Sequence, residues 1–197
     1  MKQNLLELFH IPVMLFNDVI TRYEASCIIN ELREKVYLQQ RHGYFKGTAS
    51  TSFSLEGTGV LSDYPKYKDK IQNCLDLYAD EVGIGKTEIW LSWFAIQEKD
   101  SLLLEHIHGG STLNGILYLQ TDEDSSPLII RNPREYDADY CFWNKVKETK
   151  HNLQTETIQP KIGDLVVMPS NIPHGNFYNN NQSDERIIIG FDTKYFY

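Results

Sequence analysis

Three histidines carry the chemistry that stands out in this chain. His106-Ile107-His108 precedes the segment Ser111 to Gln120, and His174 follows the punctuated stretch Gly163-Asp164-Leu165-Val166-Val167-Met168-Pro169-Ser170. Residues two apart on a strand share a face, so His106 and His108 can aim at one ion. Leu102 and Leu104 would continue that row, with Leu103, Glu105 and Ile107 on the other side. A distant histidine folding back to complete the set is what an open first-row metal site needs. A pair at spacing two also occurs by chance in exposed strands. His174 strengthens the reading because it stands between Pro173 and Gly175, after a strand and a Pro-Ser turn, where a core role is not the obvious explanation. His10, His42 and His151 have no partners at ligand spacing and read as surface or loop residues.

The elements that must position these side chains follow from periodicity. Thr21-x-x-Glu24 has capping-box form, and Cys27, Ile28, Leu32 and Val36 recur at helical spacing. Asp63 followed by Pro65 marks a second helix start; Tyr67, Ile71, Leu75, Tyr78 and Val82 continue it, and Gly83 and Gly85 end it. From Glu88 onward the pattern is one of strands: Glu88 to Gln97, Leu102 to His108, Thr112 to Gln120, Pro127 to Arg131, Thr155 to Gln159, Asp164 to Met168, His174 to Tyr178 and Arg186 to Asp192. Eight short strands joined by turns predict a mainly β fold, two facing antiparallel sheets in a jelly roll, with the helices packed outside. Residues 1–197 are taken as a single domain, a helical part over 1–87 and a jelly-roll core over 88–197. The irregular stretch Asn132 to Gln154 holds Tyr136, Tyr140, Phe142 and Trp143, either a substrate lid or a patch packed on the barrel. Asn179-Asn180-Asn181-Gln182 reads as a polar hairpin loop.

Composition narrows the class of function. A chain of 197 residues with 41% hydrophobic and 12% aromatic residues can bury a core without disulfides. Its formal net charge of -8, without a basic block, argues against a general nucleic-acid binder. Cys27, Cys74 and Cys141 are odd in number and far apart, so they are expected as free thiols. With no signal-peptide core and no apolar run of membrane length, the expected setting is the cytoplasm. Gly83-x-Gly85-Lys86 lacks the rest of a phosphate loop.

Two rows add polar groups near the histidines. Asn114, Ile116, Tyr118 and Gln120 share one face, opposite Leu113, Gly115, Leu117 and Leu119. Arg186, Ile188, Gly190 and Asp192 form another row. An arginine there suits a carboxylate-bearing ligand, whereas a lone arginine elsewhere would pair with Asp184 or Glu185 at the rim.

Taken together, His106-x-His108, Leu113-Asn114-Gly115-Ile116-Leu117-Tyr118-Leu119, the Gly163 to Ser170 strand and turn, His174, and Arg186-Ile187-Ile188-Ile189-Gly190-Phe191 resemble the 2-oxoglutarate/Fe(II)-dependent dioxygenases. The similarity is to a branch frequent in marine bacteria and phages, with an H-x-H, S-G-V-Y-Y-L, F-P-S and H…R pattern. It covers about the carboxy-terminal half. The resemblance implies a double-stranded β-helix, Fe(II) as cofactor and 2-oxoglutarate as co-substrate. It also implies oxidation, by hydroxylation in the first instance, of a small-molecule or peptide substrate, with formation of succinate and CO2. His106 and His174 would be iron ligands, and Arg186 would clasp the distal carboxylate of 2-oxoglutarate with Tyr118 at the same end and Asn114 as a neighbour. The departure is at the third ligand, where the superfamily pattern has His-x-Asp or His-x-Glu and this chain has His108. Three histidines would leave the ion without a protein charge until 2-oxoglutarate arrives. In a second register His108 is the first ligand and Gly110 stands at the carboxylate position, as in related halogenases; Asp122, Glu123 and Asp124 are further carboxylates beyond Tyr118. Two other classes stay open: a cupin-like three-histidine metalloenzyme that needs no 2-oxoglutarate, and a non-catalytic jelly-roll binding module.

Overall fold

The computed structural model describes residues 10–35, 38–40, 43–53, 58–134, 146–150 and 152–195. After β1 (Met14–Phe16), the first helix α1 spans Arg22–Lys35. The capping box forms: the Thr21 backbone N–H donates to Glu24 Oε2 at 2.9 Å and the Glu24 N–H to Thr21 Oγ1 at 3.2 Å. Ala25, Ile28, Ile29 and Leu32 make its buried stripe. Short strands follow: β2 (Gln39–Gln40), β3 (Phe45–Lys46), β4 (Ala49–Thr51) and β5 (Thr58–Gly59). The helix α2 (Pro65–Val82) has proline in its first turn and ends on Gly83, whose φ of 75° is the left-handed conformation a helix C-terminus favours. Asp63 does not cap it: it belongs to a 3-10 turn over Val60–Asp63, and Tyr64 takes the cap position.

The second half supplies β6 (Thr87–Glu98), β7 (Leu102–Leu103), β8 (Leu113–Gln120), β9 (Leu128–Arg131), β10 (Thr155–Ile158), β11 (Leu165–Pro169), β12 (His174–Gly175) and β13 (Glu185–Tyr195). The main sheet runs β1-β11-β8-β13-β6-β4-β2, with β5 parallel to β6 at one end; β10-β9-β12 form the facing sheet and β3-β7 a small ribbon. This is the jelly roll expected, with one difference. Four strands from the first 87 residues extend the main sheet, because β4 and β5 pair with β6 and β1 with β11. Their two- and three-residue lengths leave no periodicity to detect.

The main sheet separates two cores. Leu113, Leu117 and Leu119 of β8, with Phe94, Ile96, Ile187, Ile189 and Phe191, pack against Ile28, Leu32, Ile71 and Leu75 of the helices. Fully burying side chains such as Leu117 and Phe191 contributes about 1.5–3 kcal/mol each. The other face carries Ile116, Tyr118, Ala95, Val166, Met168 and Ile188, closed by Leu128 and Ile130 of β9. The helices therefore hold the sheet from outside and leave its inner face for a site.

Cys27 and Cys74 are free thiols. Cys141, His42, His151 and the four aromatic residues of the proposed lid lie outside the described residues. No helix among those described is long and apolar enough to cross a membrane.

Candidate metal centre and its anion pocket

His106 and His174 face each other through an isolated antiparallel bridge. Each backbone N–H donates to the other's carbonyl at 3.0 Å. The strand foreseen over Leu102 to His108 is thus broken: β7 ends at Leu103, His106 returns for a single bridge, and the His108 N–H donates to the Ser170 carbonyl at 2.8 Å. The interruption also changes the faces, since Leu103 rather than its neighbours lines the cavity and Ile107 sits half-exposed at its edge. Gly175 lets this crossing happen, because a Cβ there would lie 2.9 Å from the Leu103 and Leu104 carbonyl oxygens.

The three imidazoles still converge. One ligand nitrogen from each of His106, His108 and His174 lies within 4.8 Å of the others. In two rings the opposite nitrogen is held by backbone: His106 Nδ1 donates to the Leu104 carbonyl and His174 Nδ1 to the Ile172 carbonyl, both at 2.8 Å. Those bonds fix the proton on Nδ1 and leave the Nε2 lone pair for an ion. Burial, with the neighbouring histidine second, lowers the His106 ring to about 4 and the His174 ring to about 3 despite the carbonyls. Both rings are neutral at pH 7, which is the ligand form. His108 Nε2 is buried with no hydrogen-bond partner. A buried imidazole nitrogen without a partner is costly unless something fills its lone pair, so the donor set fits a divalent ion.

His174 Nε2 is meanwhile approached by the Asn114 side-chain amide at 3.2 Å, and Asn114 Oδ1 has no partner. Asn114 is therefore a neighbour of the histidines more than of the arginine. Gly110 lies in an exposed turn with φ 86°, and Asp122, Glu123 and Asp124 form an exposed turn, so neither lines the cavity.

Arg186 is 4% exposed on the same cavity. It makes no ion pair with Asp184 or Glu185; the latter pairs with Arg33. Its Nη1 donates to Gln97 Oε1 at 2.6 Å and its Nη2 to the Tyr118 hydroxyl at 3.3 Å, with the guanidinium 5.1 Å from the Tyr118 ring centroid. Nε has no partner. Burial raises the Tyr118 hydroxyl above its usual value, Arg186 opposing, so it stays protonated. Gln97 is in turn held by Asn176, whose Oδ1 also accepts the Leu103 N–H at 2.6 Å. The run around Asn181 is likewise no simple polar loop: Asn181 is fully buried, and its side chain donates to the Gln97, Glu98 and Ser183 carbonyls.

In the Arg186 row, the space left by Gly190 is filled by an indole. A Cβ on Gly190 would meet the Trp93 indole at 2.4 Å. Trp93 lies across that glycine and stacks on His108, ring centroids 5.6 Å apart at 16°, with Phe53 edge-on. Gln97, Trp93 and Asp192 were not assigned roles from sequence, although alternation already put Gln97 and Trp93 on one face of a strand. The cavity bounded by these groups measures about 260 Å³.

Residues 91–192, a little over half of the chain, match the family described as "Putative 2OG-Fe(II) oxygenase". By sequence the chain matches none of the curated proteins. Among solved structures it is similar to HygX from Streptomyces hygroscopicus with nickel and 2-oxoglutarate bound (TM-score 0.62, 12% identity, covering 95% of this chain and 84% of that one). It is also similar to a Pseudomonas putida prolyl-4-hydroxylase (0.59, 15%, 95% and 94%). A third is the viral collagen prolyl hydroxylase of Paramecium Bursaria Chlorella virus-1 in its 2OG complex (0.58, 12%, 93% and 96%). These likenesses establish the double-stranded β-helix fold, and the family match over the segments that carry the histidines and Arg186 makes this chain a member of the 2-oxoglutarate/Fe(II)-dependent oxygenases.

Proposed function

We propose that His106, His108 and His174 hold Fe(II) through Nε2, that Arg186 with Tyr118 binds the distal carboxylate of 2-oxoglutarate, and that the enzyme hydroxylates a small molecule or a peptide side chain. The observation that carries this reading is the buried guanidinium. Among the described residues no carboxylate pairs with Arg186, its side-chain partners are neutral, and it opens on the cavity that the three histidines share. A buried unpaired charge is tolerated only where a counter-ion completes it, and a planar fork suits a carboxylate. Gln97 keeps Nη1 fixed, so the fork is ordered before the ligand arrives.

Bound Fe(II) would supply oxygen activation coupled to decarboxylation of 2-oxoglutarate to succinate and CO2. The chain's own groups orient and exclude water. Trp93 and Phe53 wall the cavity, while Tyr44 and Ile107, 49% and 55% exposed, form an apolar rim suited to a carbon skeleton. Hydroxylation of a small molecule or peptide is in keeping with the prolyl hydroxylases among its structural relatives. A cytoplasmic setting accords with free Cys27 and Cys74.

The test is calorimetric titration of iron-loaded protein with 2-oxoglutarate under anaerobic conditions. Arg186→Ala should retain Fe(II) and bind 2-oxoglutarate about ten- to a few hundred-fold more weakly, the loss of about 1.5–3 kcal/mol expected for a charge-assisted hydrogen bond. Arg186→Lys should rescue only in part. Equal affinity in wild type and Arg186→Ala would contradict the role and favour a three-histidine enzyme independent of 2-oxoglutarate.

A further inference from the structure

Among the described residues, Asp192 is the single acidic residue lining the cavity, as Arg186 is the single guanidinium. It lies at the far end of the β13 row from Arg186, 5% exposed, where β13 pairs with both β6 and β8. The register slips beside it: Asp192 pairs with Leu91 and Thr193 with Ile89, so Trp90 is the extra residue. Such a bulge re-aims neighbouring side chains. Here both Trp90 and Leu91 line the cavity as a result. Asp192 Oδ1 lies 2.9 Å from His108 Nδ1 as a close ion-pair contact and has no hydrogen-bond partner. His108 is pressed from its ring face by Trp93. A buried carboxylate oxygen left unsatisfied beside one nitrogen of an imidazole whose other nitrogen is also unsatisfied forms an incomplete relay that an ion at Nε2 would complete.

We infer that Asp192 is the positioning residue of the metal centre: it holds His108 with the proton on Nδ1 and supplies, one residue removed from the ion, the negative charge that three imidazoles lack. This rests on the three-histidine reading above. His106 and His174 use neutral carbonyls for the same purpose, so Asp192 makes His108 the one charge-supported ligand.

The experiment measures Ni(II) affinity by calorimetry for wild type, Asp192→Asn, His108→Asp and the double variant, with His106→Ala as a control. Asp192→Asn should bind Ni(II) about 10–100-fold more weakly. In the His108→Asp background, where a carboxylate stands beside the ion directly, the second substitution should cost little. Equal loss in both backgrounds would mean that Asp192 acts only on the fold and would overturn the inference. Unchanged affinity in Asp192→Asn, with binding abolished by His106→Ala, would overturn it and leave the metal site standing. Absence of Ni(II) binding by wild type would remove the site reading as well. A readout on the unaltered protein guards against a variant that fails to fold: 15N shifts of the His108 ring, without metal, should report the Nδ1–H tautomer, and an Nε2–H ring would refute the assignment.

Discussion

His106 and His174 are locked opposite each other by two backbone hydrogen bonds of 3.0 Å, one in each direction. Their side chains are therefore placed by the chain's course and not by core packing. His106→Ala and His174→Ala should each lose Fe(II) binding while keeping wild-type circular dichroism and a thermal midpoint within a few degrees, because the backbone bridge survives both changes. Loss of folding in either would show that the rings are structural.

His108→Ala should weaken Fe(II) binding, and His108→Asp should preserve it, since a carboxylate at this position restores the common two-histidine set. Turnover can still suffer from altered geometry. Fe(II) titration of the two variants checks this; a structure with iron on His108 and none on His106 would establish the other register.

Gly190→Ala should drive the Trp93 indole off His108, because the new Cβ would fall 2.4 Å from the ring. Overpacking of this kind costs about 1–3 kcal/mol. Urea unfolding gives that loss, and metal titration should show a parallel weakening. Trp93→Ala in the same chain should relieve the strain, so a double variant no more stable than Gly190→Ala would contradict the contact.

The Glu24 carboxyl is lowered to about 2, first by Lys66, then by the Thr21 backbone N–H and Lys70. A depressed carboxyl stabilises the fold above its ordinary value of 4.5, and the contribution fades as pH falls toward 2. Glu24→Gln should be about 1 kcal/mol less stable at pH 7, the size of a cap joined to partly exposed ion pairs. The gap should narrow between pH 5 and pH 3 in urea unfolding. A gap independent of pH would assign the loss to packing.

Much of this was legible in the residues because strong periodicity survives tertiary context. The Leu113 to Gln120 alternation and the Thr21 to Glu24 box gave their elements within a residue or so, and the histidine spacing gave the three converging rings. Other parts depend on contacts between distant segments. Asn181 becomes a buried knot only because β6 passes over it, and Trp93 reaches His108 only because Gly190 lies beneath it. The break after Leu103 was hidden by apolar residues that read equally well as strand. Asp192 was visible as a member of the Arg186 row, but the bulge that gives it His108 as a neighbour cannot be read from alternation.

In the proposed function, one cavity holds Fe(II) on three histidines and 2-oxoglutarate on Arg186. Anaerobic reconstitution with Fe(II), followed by titration with 2-oxoglutarate, tests both halves in one absorption measurement. Wild type should show a saturable metal-to-ligand charge-transfer band, absent in His174→Ala and needing much higher 2-oxoglutarate in Arg186→Ala. No band in iron-loaded wild type, or the same titration curve for Arg186→Ala, would contradict it.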